Sequence, residues 1–271
     1  MKYVSIDLET TGLDPERCDI LQFGAVIEDT ENQLPYDELP TLNLLVGPPH
    51  PAGRYSAEVG ALVMNAKLIE RIQKEGSVKP GDIEPLFFLF VEEHLFKVPN
   101  EHVPEVNYPL GERPQINLAG KNFNTFDRHF LDELHWNWSQ YHRRVIDPAM
   151  LWWRPEEDET LPSTELCMER AGINPSDFGD GELHDAVTDA KIVIALVREG
   201  MKRVAGQDDE DVQEWKRIGV AKGARYLLVA GEPPYAVYAS EDDVVQLRQD
   251  YGKALKKEYD LWPVASDNGG R

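Results

Sequence analysis

Three runs of alternating apolar and polar residues follow one another at the start of the chain, at residues 2 to 9, 20 to 29 and 41 to 46. In the first, Val4, Ile6 and Leu8 share one face, and Tyr3, Ser5, Asp7 and Glu9 share the other; Leu21, Phe23, Ala25 and Ile27 repeat the alternation in the second. Period two is the signature of strands. The connections are short, which predicts an antiparallel meander. Helical patterns follow at 56 to 75 and 81 to 97, then the proline-rich loop "VPNEHVPEVNYPLGERP" and a strand at "QINLAG". A helix at about 125 to 136, a short strand near "RVID", a helix near 163 to 171 and an apolar helix over "DAVTDAKIVIALVREG" complete the series. Strands first in a meander and later interleaved with helices predict an α/β fold, a mixed central sheet flanked by helices.

The 271 residues, 41% of them hydrophobic, suffice for a main domain with a small appendage. The main domain is expected over 1 to 205, with a helical and loop insertion at about 76 to 114, and a small α+β accessory extension over 206 to 271. In that extension "RYLLVA" and "YAVYAS" read as strands, and Ser240 with Asp243 resembles a capping box opening a helix. The longest apolar run, "LFFLFV", is too short to cross a bilayer, and the N-terminus has no signal-peptide pattern. A cytoplasmic protein without membrane contact is expected. Cys18 and Cys167 are far apart and without metal-ligand spacing, so both are expected reduced and buried. The net charge of −21 opposes sequence-blind wrapping of long duplex nucleic acid, whose affinity comes from basic residues on phosphates.

Asp7 and Glu9 lie about 6.6 Å apart along a strand, near enough for both to reach one ion. No Lys or Arg lies in "SIDLETTGLD" to compensate them, although two solvent-facing acids would need no compensation. Asp127 falls on the helical face of Phe130, Leu131 and Leu134, where an apolar residue is expected; capping or the helix dipole is an alternative, with Asn124 or Thr125 able to cap instead. Asp189 shares a face with Ala186, Val193 and Leu196. An inward charge costs several kcal/mol unless paired or bound to metal. Convergence of Asp7, Glu9, Asp127 and Asp189 would select hard ions, Mg²⁺ or Mn²⁺. His184, just ahead of the last helix, is placed to act as a base.

"DLETTGL" at 7 to 13, "NFNTFDRHFL" at 122 to 131 and "HDAVTD" at 184 to 189 resemble, in order, the three motifs of the DEDDh family of 3′ to 5′ exonucleases. The match covers roughly residues 1 to 203. The resemblance implies a ribonuclease H-like fold and removal of nucleoside 5′-monophosphates from 3′ ends with two divalent metals. Asp7 would bridge both metals, Glu9, Asp127 and Asp189 would complete the ligand set, and His184 would be the general base. The sister subfamily carries a tyrosine four before the last aspartate, where Asp185 stands here. Thr10, Thr11 and Gly12 would offer backbone donors to the 3′ end and Leu13 would wedge between bases; turn chemistry or core filling is the alternative for all four. Asn122 and Arg128, with "YHRRVIDP", look like oligoribonucleases, while the insertion and the extension do not.

Lys121, Arg128, Arg143 and Arg144 cluster around the second motif and are candidates for phosphate contact, or ordinary surface charge. The expected partners are single-stranded DNA or RNA 3′ ends or short oligonucleotides, with the extension available for a homodimer or a protein partner. Two other functions fit: a proofreading-type subunit tethered to a polymerase by its tail, and a catalytically silent binding module of the same fold.

Overall fold

The computed structural model describes residues 1–49, 53–95, 115–178 and 184–204, and the backbone of three later strands. The chain divides into two units, Met1–Gly200 and Met201–Arg271. The first is built around β1 (Lys2–Thr10), the central strand of a five-stranded sheet. Its antiparallel partner is β2 (Ile20–Asp29), which pairs in turn with β3 (Thr41–Leu45), as the alternation predicts. On its other side β1 runs parallel to β4 (Ile116–Ala119), and β4 parallel to β5 (Tyr141–Ile146). The order is β3-β2-β1-β4-β5, so the mixed sheet is as expected.

Among the described residues seven helices accompany the sheet: α1 (Val59–Met64), α2 (Ala66–Glu75), α3 (Ile83–His94), α4 (Asp127–Glu133), α5 (Ala149–Trp152), α6 (Thr164–Ala171) and α7 (Ala186–Val204). On one face Val4, Ile6, Leu8 and Phe23 pack against Ile83, Phe87 and Val91 of α3 and Phe130 and Leu131 of α4. Phe87 meets Phe23 edge-on at 5.7 Å, a geometry aromatic quadrupoles favour, and lies tilted to Trp136 at 5.6 Å. On the other face Tyr3, Val26 and Ala119 receive Ala190, Val193, Ile194 and Val197 of α7. The remaining flank of α7, Ile192, Ala195 and Leu196, packs with Trp152, Cys167 and Met168. That second neighbour is why α7 is apolar nearly all round.

Several elements differ from the sequence reading. The expected helix over 56 to 75 is two helices, α1 and α2, parted at Asn65, whose buried side-chain amide donates to the Thr10 carbonyl at 3.0 Å. The helix over 81 to 97 is α3, and although it falls within the expected insertion it supplies core residues. The strand near "RVID" starts earlier, at Tyr141, because that residue is buried in the aromatic core. The helix expected from 125 begins with a single 3₁₀ turn, Phe123–Thr125, and α4 follows with Phe126 at its cap and no side-chain capping bond, so neither Asn124 nor Thr125 caps it. Cys18 and Cys167 are free and buried, as expected.

The second unit contains a three-stranded antiparallel sheet of β6 (Tyr226–Ala230), β7 (Tyr235–Ala239) and β8 (Asp260–Pro263), ordered β7-β6-β8. The first two are the strands read from the sequence; β8 is additional. The tail helices, Ser240, Asp243, the proline-rich loop at 98–114 and the last two residues of the helix expected over 81 to 97 lie outside the described residues. No helix among the described residues is long and apolar enough to cross a membrane.

One buried ion pair ties α7 to β2. Arg198 donates Nε to Glu28 Oε1 at 3.0 Å and Nη2 to Oε2 at 2.6 Å, with its guanidinium 4.6 Å above the Tyr36 ring. Glu28 is fully buried. Glu28→Ala leaves the guanidinium buried without its counter-charge and should destabilise the first unit by about 3–5 kcal/mol. Urea unfolding followed by tryptophan fluorescence measures it; a loss below about 1 kcal/mol would show the pair to be dispensable.

Candidate active site

Every acid singled out in the sequence lies at or beside the C-terminal half of β1. Asp7 pairs across the sheet with Gly24 and Glu9 with Gln22. The register shifts by one residue just beyond Glu9, and Leu21, opposite the shift, turns away to pack with Leu68 and Ile72 of α2. Asp127 opens α4 and is 3% exposed; its Oδ1 accepts the Leu8 N–H at 3.0 Å, which locks it to the strand between Asp7 and Glu9. Asp189 sits in the first turn of α7, where the backbone and imidazole of His184 act on its carboxylate. His184 has φ of 74°, in the left-handed region that non-glycine residues enter at a cost. One ligand atom each of Glu9, His184 and Asp189 lie within 4.8 Å of one another.

The electrostatics follow from this crowding. Burial, followed by the charges of Asp127, Asp189, Glu9 and Asp185, holds the Asp7 carboxyl well above the usual range. Burial and then Asp189, Asp185 and Asp127 push Glu9 up to about 8. Burial raises Asp127 to about 7 against the opposing pull of backbone donors, including Leu8. Asp189 rises to about 6 through burial, partly offset by His184. Among the described residues no lysine or arginine pairs with any of these four acids. Packed carboxylates with an adjacent imidazole and no cation form a donor set that fits hard divalent ions.

The start of α7 is fixed by residues that sequence reasoning did not single out. Gln22, buried on β2, donates Nε2 to Asp185 Oδ2 at 3.0 Å and to Asn43 Oδ1 at 2.9 Å, and accepts the Ala186 N–H at 3.2 Å. Asp185 Oδ1 accepts the Val187 and Thr188 N–H groups, both at 3.2 Å, a capping arrangement. Arg71 of α2 donates Nη1 to Asp185 Oδ2 at 3.0 Å. Gly24 makes the approach possible, since a Cβ there would stand 2.4 Å from the Ala186 carbonyl carbon. Asp189 and His184 therefore take their positions from β2 as much as from their own segment.

The chain has the fold of exonuclease I. A product-bound exonuclease I is similar at a TM-score of 0.50 and 17% identity, over 97% of this chain and 63% of that one. E. coli exonuclease I in complex with a dT13 oligonucleotide gives 0.48 and 16%, over 86% of this chain and 49% of that one. Cell-death related nuclease 4 gives 0.49 and 13%, over 75% and 64%. The chain thus spans about half the length of the E. coli exonuclease I it matches. No protein-family model matches it. No curated protein matches it either. At these identities the likeness is one of fold.

The remaining candidates divide. Thr10 Oγ1 donates to the Gly12 carbonyl at 2.7 Å, while Thr11 donates Oγ1 to Ser56 O and its N–H to Asp19 O, so both hydroxyls serve the turn itself. Gly12 is fixed by space, because a Cβ would come 2.5 Å from Cys18 Sγ. Leu13 is 74% exposed. Glu58, ahead of α1, donates its N–H to the Thr11 carbonyl, and one turn apart on α1 stand Val59 and Val63, both exposed and both absent from the sequence reading. Asn122 adopts φ of 58° and its N–H donates to Asp147. Lys121 donates to Asn122 Oδ1 and its charge acts on Glu165 of α6, whereas Arg128 and Arg143 share a cavity near β5. The four cations are not one patch.

Two outcomes follow for metal-free protein. The folded-state values of Glu9, Asp127 and Asp189 lie above their ordinary ones, so between about pH 4 and 8 the folded state holds protons the unfolded chain has released. Stability contributed by these groups is complete at low pH and is lost as pH rises through the folded values. Mn²⁺ should accordingly raise the melting temperature more at pH 8 than at pH 6, with proton release on binding; equal shifts at both would contradict the cluster. Gln22→Met, which frees Asp185 and the first turn of α7, should weaken Mn²⁺ binding about 10–100-fold in calorimetric titration while the fold persists.

Proposed function

We propose that the protein is a metal-dependent 3′ to 5′ exonuclease that hydrolyses single-stranded or short nucleic acid ends to nucleoside 5′-monophosphates. The observation that carries this reading is the cluster of buried and half-buried carboxylates with which no lysine or arginine pairs among the described residues, beside an imidazole held within 4.8 Å of Glu9 and Asp189 ligand atoms. Asp7, Glu9, Asp127 and Asp189 would hold the divalent ions, Mg²⁺ or Mn²⁺. Such ions supply water activation and stabilisation of the leaving oxygen. His184 accepts the proton of the attacking water; its position at the exposed mouth lets it pass that proton to solvent. The 74% exposed Leu13 with Val59 and Val63 gives the terminal bases an apolar surface, and the Thr10–Gly12 turn supports the 3′ end. Base contacts of this kind tolerate any sequence.

A 5′-labelled single-stranded oligonucleotide incubated with Mg²⁺ or Mn²⁺ should shorten one residue at a time and release mononucleotides bearing 5′-phosphate. Asp7→Ala should bring release to background. His184→Ala should lower kcat about 10²–10⁴-fold near neutral pH with KM within a small factor. Intact oligonucleotide with wild-type protein, or internal cuts instead of a terminal ladder, would overturn the reading.

A further inference from the structure

Away from the acids, a cavity of about 90 Å³ opens between the α4 start and β5, the edge strand of the sheet. It has room for several water molecules at about 10–15 Å³ each, so it admits part of a ring and not a polymer; a chain must run over its rim. Phe123 and Val145 line its apolar part, Trp138 and Tyr141 add aromatic surface, and Arg128 and Arg143 bring positive charge. The aromatic part is preset: Trp138 Nε1 donates to Asp132 Oδ1 at 2.5 Å, and the Arg128 guanidinium lies 4.8 Å from the ring centroid. Arg128 is left with donors to offer. Its approach to Asp132 is 3.9 Å, beyond hydrogen-bond range, its side chain is 39% exposed, and among the described residues it makes no hydrogen bond. Arg143 is exposed and likewise makes none among them.

We propose that this cavity is a subsite for a nucleotide upstream of the scissile bond, its base against Trp138 and the Arg128 plane and its phosphate on Arg128 and Arg143. The inference rests on the exonuclease reading and adds the path of the substrate to it. Two observations favour a polyanionic strand. Free guanidinium donors beside an aromatic plane are what a nucleotide's base and phosphate require. The charge is local in a chain of net −21, so a polyanion gains attraction here that the overall composition withholds. The cavity also lies within the first unit on the α3 and α4 side of the sheet, next to the start of α4, whereas Asp7 and Glu9 lie on the α7 side, so a strand seated at the acids reaches it only by passing round the start of α4.

Binding tests this without catalysis. Fluorescein-labelled single-stranded DNA and RNA of about 12 nucleotides, within the usual span of single-strand sites, are titrated in EDTA and followed by anisotropy. Arg143→Glu should raise Kd at least tenfold, Arg143→Lys should recover most of it, and Arg128→Gln should lower the salt slope of log Kd by about one. An unlabelled dinucleotide, too short to span from the acids to the cavity, should compete equally with wild type and Arg143→Glu. Unchanged Kd in Arg143→Glu, or displacement of the 12-mer from the wild type by an acidic peptide at lower concentration than by oligonucleotide, overturns the subsite. Failure of the exonuclease reading looks different: no mononucleotide release with Mg²⁺, whatever the anisotropy shows.

Discussion

Like charges do not gather in a protein interior unaided. Four carboxylates at or beside one end of β1, with Asp185 as a fifth nearby, repel one another where water is too scarce to screen them. Most of the first unit reads as the apparatus that resists that repulsion. Apolar layers clamp both faces of the sheet, α3 and α4 from one side and α7 from the other. The Leu8 N–H holds Asp127 from within the strand that carries two of the other acids. Metal-free, the site relieves itself by holding protons; bound cations would displace them, so ion binding and folding stability would be coupled through the same groups.

The attachment of α7 shows how the geometry is kept. Gln22 grips the helix at Asp185 and Ala186, and Glu28 grips it at Arg198. The six strand steps from Gln22 to Glu28 cover about 20 Å, and the thirteen helical steps from Asp185 to Arg198 also cover about 20 Å. Strand and helix therefore match in length between their two fastenings, and neither has to bend to meet the other. Between them Gly24 removes the one side chain that would hold the helix start off the sheet. Asp189, one turn in from the first fastening, can shift little.

What the sequence displayed was whatever is written locally. The period-two runs of β1 and β2 showed that Asp7 and Glu9 share a face, and a charge in an apolar helical stripe drew attention to Asp127 and Asp189. Gln22 carried no such sign, since a polar residue on a strand looks solvent-facing and its partner Asp185 lies 163 positions away. Asn65 was hidden for the same reason: its role is a bond to Thr10, 55 positions back, and it splits what periodicity made one helix. The core place of α3 was missed because "PLFFLF", apolar at nearly every position, has no single face to read, although it is buried through Phe87, Phe90 and Val91. Arg128 and Arg143 were grouped with Lys121 by proximity in sequence, whereas alternation along β5 sets Tyr141, Arg143 and Val145 on one face, that of the cavity.

The edge position of β5 joins these strands of argument. An edge strand exposes unpaired backbone groups, and charged side chains are the usual guard against its pairing with another chain. Arg143 and Arg144, adjacent and exposed on β5, meet that need whatever else they do. Acidic guards would serve against aggregation equally well and would suit the composition of the chain, so solubility alone does not account for arginine here. What distinguishes the two signs is the response to a phosphate backbone. Cations at the edge attract it toward the sheet while the acids at the strand ends repel it until ions are bound. Under the proposed exonuclease reading, a substrate would approach from β5 and be fully seated only once the acids hold ions, an order of events set by the sign of a few side chains on one sheet.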